Sequence, residues 1–222
     1  MSAVSVRAAA ERSPQRSPHW SSPTRLAAKR LLDISVSACF LVAFSPLLLV
    51  LAMLVKLSSE GPVFYPWHVV GLSGRRFVGY KFRSMVANAD ALKPHLLAQN
   101  EMTGPVFKLT QDPRITSLGA WMRRYSLDEL PQLFSVLVGD MSLVGPRPPL
   151  ESEFIRFTEF QKQKLTVKPG ITCLWQVSGR NQVHDFDDWV HLDLQYIRTW
   201  SLILDFKILL RTFVEVVRGS GK

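Results

Sequence analysis

Residues 33–56 read "DISVSACFLVAFSPLLLVLAMLVK", and how this stretch meets a bilayer decides the fold. Ile34 to Val55 are 22 consecutive residues without a charge, long enough for one spanning helix. Ser45-Pro46 stands at the centre of the run. Pro46 cannot donate to the carbonyl four residues back and its ring clashes there, so a bend or break is expected between Val42 and Ser45. Each arm then has about eleven residues, roughly 16 Å of helix, or half of a ~30 Å hydrocarbon core. Arms of that length suit a re-entrant helix-break-helix hairpin over residues 29–57 that enters and leaves by one face. Ser45 can bond a carbonyl freed in the preceding turn. A plain span passes the same hydropathy test, and proline is tolerated in spanning helices. Lys29 and Arg30 before the run and Lys56 after it favour two cytoplasmic ends. A cleaved signal peptide fits poorly, because the leader is about thirty residues and Lys56 follows the apolar run directly.

Upstream lies a basic tail. Residues 1–30 carry Arg7, Arg12, Arg16, Arg25, Lys29 and Arg30 against Glu11, a net of +5 within the +9 of all 222 residues. Its Ser-Pro-Arg composition offers little surface to repay ordering, so residues 1–28 are expected to be disordered and to meet anionic lipid. The charge would also suit nucleic acid, but no recognition motif accompanies it and no such partner is expected. The remaining residues, 58–222, are enough for one functional body. Two cysteines without CxxC spacing and five histidines without HExxH spacing argue against a disulfide framework or structural zinc and fit a reducing cytosol.

Downstream, "VFYPWHVVGLSGRRFVGYKFRSM" mixes β-branched and aromatic residues around a Gly-rich turn at 71–74, which predicts a short hairpin. "ADALKPHLLAQNEM" predicts a weak helix and a loop. An amphipathic helix, a second helix opening near Ser126, and a stiff loop at 145–149 follow. Tyr196 to Arg218 predicts one long amphipathic helix, with Tyr196, Trp200, Ile203, Leu210, Val214 and Val217 on one stripe and Arg198, Ser201, Asp205, Thr212 and Glu215 opposite. Its apolar side suits a membrane surface or the protein core.

"SLDELPQL" at 126–133 carries the chemistry. Ser126 and Glu129 have the S-x-x-E spacing of a capping box. Asp128 would then lie in a first helical turn, where the dipole favours an ionised carboxylate, and Glu129 could share a cation with it. "GPRPP" at 145–149 holds Arg147 between prolines, ready to offer a guanidinium fork to phosphate. "KFR" at 81–83, "DPR" at 112–114 and "RR" at 123–124 add cations. Carboxylates, a metal and several cations around phosphates describe phosphoryl transfer, with Mg²⁺ as the metal. There is no Walker A loop and no GxGxxG.

With these motifs in view the chain resembles the bacterial sugar transferases called monotopic phosphoglycosyl transferases, in particular the short form of the exopolysaccharide-initiating enzymes. The resemblance runs from about Lys29 to Thr212 and rests on "KRLLDI", "GPVFY", "YKFRSM", "DPRIT", "SLDELPQL", "GDMSLVGPRP", "VKPGIT", "LWQVSGRN" and "DLQYIRTWSLILDFKIL". It implies an α-rich α+β monotopic membrane protein with a re-entrant hairpin, interfacial helices and a small β-hairpin. The implied place is the bacterial inner membrane, with the catalytic domain on its cytoplasmic face. The implied reaction transfers a hexose 1-phosphate from a UDP-sugar to undecaprenyl phosphate, releasing UMP, with Mg²⁺. In it Asp128 attacks the β-phosphate to give a covalent phosphosugar, Glu129 is its partner, and both serve the metal. The resemblance also assigns Lys81, Arg147 and Asp193 to the phosphates and metal, with Arg83, Arg114 and Arg180 as further candidates. Galactose or glucose is the expected sugar, lipids are expected partners, and a homo-oligomer is left open. The chain departs from the family where "RQxRVG" becomes "PWHVVG" at 66–71 and "GITG" becomes "GITC" at Cys173. The first departure motivates an alternative, a non-catalytic membrane scaffold or regulator derived from such an enzyme.

Overall fold

The computed structural model describes residues 18–179 and 183–221. A 3-10 turn at Pro18–Ser21 leads into α1, Pro23–Ala43, which starts with proline in its first turn, where the missing N–H costs nothing. The helix therefore begins before Lys29, inside the stretch expected to be disordered. Two aromatic rings explain the order. Trp20 stacks on Trp200 with centroids 4.1 Å apart, and its Nε1 donates to the Ile197 carbonyl at 2.9 Å. Residues 1–17, the rest of that expectation, lie outside the described residues.

Phe44 leaves helical geometry and α2, Ser45–Ser58, sets off at 64° to α1. Ser45 Oγ donates to the Val42 carbonyl at 2.8 Å, so the break closes as the sequence predicts. No single helix among the described residues is long and apolar enough to cross a membrane, but the bent pair passes that test together.

Both arms are docked at their far ends on one body. Lys29, Asp33 and Ser37 form one buried face of α1. Lys29 Nζ reaches Asp205 Oδ2 at 2.6 Å and the Val144 carbonyl at 3.1 Å. Asp33 Oδ1 accepts from Ser142 Oγ and Leu143 N. On α2, Leu51 and Val55 pack with Phe82 and Met122. Arg83 Nη2 donates to the Val55 and Ser59 carbonyls at 3.0 and 2.7 Å, tying down the end of the helix. The outward sides stay apolar and exposed, with Val42, Leu49, Met53 and Leu57 bare.

The body begins with an antiparallel hairpin, β1 Phe64–Val70 and β2 Arg76–Phe82, in the register Trp67↔Gly79 and Tyr65↔Lys81. Then come α3, Ala89–Leu96, and α4, Ser117–Arg124, which Thr116 caps by accepting from Gly119 N. A 3-10 turn at Leu127–Glu129 precedes α5, Gln132–Val138. Arg30 of α1 caps α5 by donating to the Val136 and Leu137 carbonyls.

Next is β3, Ser142–Val144, followed by the short helices α6, Glu151–Phe154, and α7, Glu159–Lys162. β3 pairs in parallel with β4, Gly170–Thr172. The two chains approach so closely that a Cβ on Gly170 would lie 2.1 Å from the Gly145 nitrogen, which is why "LVGPRP" and "VKPGIT" both need glycine. The loop after β3 is also bonded to β1, Val70 N donating to the Pro149 carbonyl at 3.0 Å.

The chain ends with α8, Leu174–Val177, α9, Phe186–Thr199, and α10, Leu202–Arg218. The single helix expected over 196–218 is therefore two. Ser201 caps α10 by accepting from Leu204 N, and Trp200 is drawn into the core to bond Asp205 Oδ2 through Nε1 at 3.0 Å. The expected apolar stripe divides with the break: Tyr196 and Trp200 are buried, whereas Ile203, Leu210 and Val217 are exposed. Asp205, expected on the solvent side, is buried among Lys29, Tyr196 and Trp200.

Candidate active site

The acid pair sits on an unusual turn. Ser126 adopts left-handed geometry, φ 54° and ψ 23°, which a serine takes only when its surroundings impose it. Its side chain caps nothing, so the capping box expected from S-x-x-E does not form. The turn instead carries Asp128 and Glu129 on a tight 3-10 segment ahead of α5. Asp128 is 7% exposed at the edge of a cavity of about 420 Å³.

Around the pair the hairpin and the β3–α6 loop deliver cations. Lys81 Nζ, on β2, lies 2.8 Å from Glu129 Oε1, and Arg147 Nη1 lies 3.4 Å from the same oxygen. Arg123, at the end of α4, lines the cavity and donates through Nε to Ser84 Oγ at 2.9 Å. The Trp67 ring lies beneath both Glu129 partners, with its centroid 3.9 Å from Lys81 Nζ and 5.7 Å from the Arg147 guanidinium carbon.

Burial governs the charges here. It pushes the Asp128 carboxyl above the usual range, and the Glu129 charge beside it adds to the rise, while Lys81 and Arg123 oppose it. Desolvation thus works against the ionisation expected from a helix dipole, and the neighbouring cations work for it. Burial also lowers Lys81 below the ordinary lysine range, partly countered by Glu129. A phosphate or cation entering the cavity would change this balance more than any single side chain.

The structure brings Lys81, Asp128, Glu129 and Arg147 together; Arg83 and Arg114 line the same cavity but are engaged by other partners, and Asp193 is buried against Lys164. Arg83 holds the end of α2 through backbone carbonyls. Arg114 grips Asp112, with Nε to Oδ1 at 2.9 Å and Nη2 to Oδ2 at 2.6 Å, so its fork is already filled. Asp193 is fully buried, 2.6 Å from Lys164 Nζ, which lines the floor of the cavity among Trp175, Phe186 and Trp189. Arg180 lies outside the described residues. Sequence reasoning missed Lys164 and Trp67, because nothing local in "KQKLTV" or "YPWHVV" announces a partner supplied by a distant element.

Among the described residues no three His, Cys, Asp or Glu side chains converge as a metal cage. Asp128 and Glu129 do offer two hard oxygen donors, the number Mg²⁺ commonly takes from protein when phosphates supply others, so the set fits that ion.

Two carboxylates hemmed by lysine and arginine at the wall of an open cavity have the chemistry to bind phosphate. The chain matches the bacterial sugar transferase family over residues 24–219 and belongs to it. It is 47% identical over 198 residues to the galactosyl transferase CpsE of Streptococcus agalactiae, covering 89% of this chain and 44% of that protein. It is 46% identical over 197 residues to the undecaprenyl-phosphate galactose phosphotransferase of Salmonella typhimurium, covering 87% and 41%. With the exopolysaccharide production protein ExoY of Rhizobium meliloti it shares 40% identity over 198 residues, 87% of each chain. This chain spans less than half the length of the first two relatives.

Proposed function

We propose that the protein transfers a hexose 1-phosphate from a UDP-sugar to undecaprenyl phosphate as the first membrane step of exopolysaccharide synthesis. The observation that carries this reading is the acid pair at the cavity wall, with Lys81 and Arg147 on Glu129 and Arg123 near Asp128. The names of the Salmonella and Rhizobium relatives point to the same acceptor and pathway.

In the first step an Asp128 oxygen attacks the donor's β-phosphorus. The bond from that phosphorus to the bridging oxygen breaks, its electrons leave with UMP, and the sugar phosphate remains on the carboxylate as an acyl phosphate. In the second step a phosphate oxygen of the lipid attacks the same phosphorus and frees Asp128. Splitting the transfer lets a soluble donor and a membrane acceptor use one site in turn. Lys81 and Arg147 neutralise donor oxygens, and they hold Glu129 in place beside the nucleophile. Burial excludes water that would hydrolyse the intermediate. Mg²⁺, held by Asp128 and Glu129 with the phosphates, would supply charge neutralisation.

In this reading the chemistry lies at the cytoplasmic face of the inner membrane, and the docking of the bent pair supports that position. Both distal ends are tied to one body, through Lys29–Asp205 at one and Arg83–Ser59 at the other. A full span would pull one end of that body through the lipid. With a 64° bend each arm tips about 32° from the plane, so about 16 Å of apolar helix descends roughly 8 Å, inside one leaflet. The exposed Ile203, Phe206, Leu210 and Phe213 give α10 an apolar side for the same surface.

The test is UMP release by purified protein with Mg²⁺, undecaprenyl phosphate and a panel of UDP-sugars. UDP-galactose or UDP-glucose should support turnover, and Asp128→Asn should abolish it with folding retained. Partner binding without UMP release from any donor would favour the non-catalytic scaffold.

A further inference from the structure

The stretch "PWHVVG" is the part of the hairpin that departs from the family pattern, and the geometry gives its tryptophan work to do. Trp67 and Lys81 stand on one face of the hairpin, since Trp67 pairs with Gly79 and Lys81 with Tyr65. Gly79 lies directly under the ring: a Cβ there would sit in van der Waals contact, 3.4 Å from Trp67 Cε3, so the indole packs against β2. Only 6% of Trp67 is exposed, and the ring is fixed from behind while its face looks into the cavity. Lys81 Nζ sits 3.9 Å from the ring centroid and the Arg147 guanidinium carbon 5.7 Å. Both cations also contact a single oxygen, Glu129 Oε1.

Two like charges on long side chains would ordinarily separate and sample many rotamers. A flat, electron-rich ring beneath both attracts each of them without adding a charge that competes for phosphate. We propose that Trp67 is a positioning residue whose indole face holds Lys81 and Arg147 side by side on Glu129, aimed at the diphosphate of the nucleotide donor. The assignment rests on the phosphate-transfer reading of the site. Position 67 acts through these two cations, the contacts its ring makes at the site.

The experiment replaces Trp67 alone with mono-, di- and trifluorinated tryptophan by site-specific incorporation in the full chain. Fluorine withdraws charge from the ring face while preserving its shape. UDP affinity by calorimetry, donor kcat/KM by UMP release, and thermal stability are measured for each. UDP affinity and donor kcat/KM should fall stepwise with fluorine number, by about threefold to tenfold across the series, while Tm and the KM for undecaprenyl phosphate stay flat. Trp67→Leu should lose more, and Trp67→Tyr should recover part of the loss. A flat fluorine series overturns the proposal even where Trp67→Leu is impaired, because that pattern is packing alone. A protein that binds UDP with the stepwise decline yet releases no UMP supports the platform and refutes the transfer reading. A protein with no UDP affinity overturns both.

Discussion

Replacing Lys29 by methionine removes one member of a fully buried ion pair without leaving a large void. Asp205 would keep its bonds from Tyr196 Oη at 2.8 Å and Trp200 Nε1 at 3.0 Å but lose the ammonium at 2.6 Å. The Val144 carbonyl would lose one of its two donors and keep Tyr196 Oη. Breaking a buried pair by removing one partner costs about 3–5 kcal/mol, because the remaining charge has no counter-ion and no water. Asp205→Leu strands the lysine and should cost a similar amount. The double variant, with neither charge, should be less unstable than the two losses added, giving a coupling of about 2–3 kcal/mol. The assay is reversible urea unfolding in detergent micelles or lipid nanodiscs, followed by tryptophan fluorescence, since Trp20 and Trp200 report on this joint. Lys29→Met should also loosen α1, so protease cleavage between α1 and the body should rise. A single-variant loss below about 1 kcal/mol, or additive losses, would refute the claim that this pair docks the apolar helices on the body.

Gly170→Ala should push β4 from the Gly145 backbone, lower stability by about 2 kcal/mol or more, and reduce turnover by displacing the loop that carries Arg147; unchanged melting would contradict the close approach. Asp112 is held below the usual carboxylate range, first by its hydrogen bonds from Arg114. Its contribution is therefore present above about pH 4 and lost as pH falls through the lower folded value, so the stability gap between wild type and Asp112→Asn should close in acid. A gap that widens in acid would reverse that sign. Cysteines introduced near residues 25 and 60, in a background lacking Cys39 and Cys173, should react with a membrane-impermeant reagent from the same side. Opposite-side labelling would mean that the segment spans.

Much of this was legible because it is local. A proline in an apolar helix, a Gly-rich turn between β-formers, and cations flanked by prolines each carry their geometry with them. The 64° break beside Ser45-Pro46 and the hairpin over 64–82 follow from such signals, whereas the grouping of Lys81 and Arg147 with Asp128 and Glu129 was legible through the family resemblance. The failures are tertiary. S-x-x-E spelled a cap, but Ser126 takes left-handed geometry between α4 and the 3-10 turn, and its hydroxyl makes no cap bond. Periodicity ran unbroken through Trp200, but burying that indole against Trp20 and Asp205 was worth more than continuing the helix. Asp193 and Arg114 look like free cavity charges in one dimension, but each is already paired with an opposite charge, Lys164 and Asp112. "KRLLDI" reads as a membrane flank; in three dimensions it is the docking edge of α1, through Lys29, Arg30 and Asp33.

The central claim is that Asp128 carries the sugar phosphate between donor and lipid. The direct measurement is mass spectrometry of peptides from protein incubated with Mg²⁺ and the active UDP-hexose, without lipid acceptor, and quenched rapidly. The account predicts a hexose-phosphate adduct on Asp128, formed with release of up to one UMP per active site and cleared when undecaprenyl phosphate is added. Turnover with acceptor present but no adduct at Asp128, or UMP release that never begins without the acceptor, would contradict it.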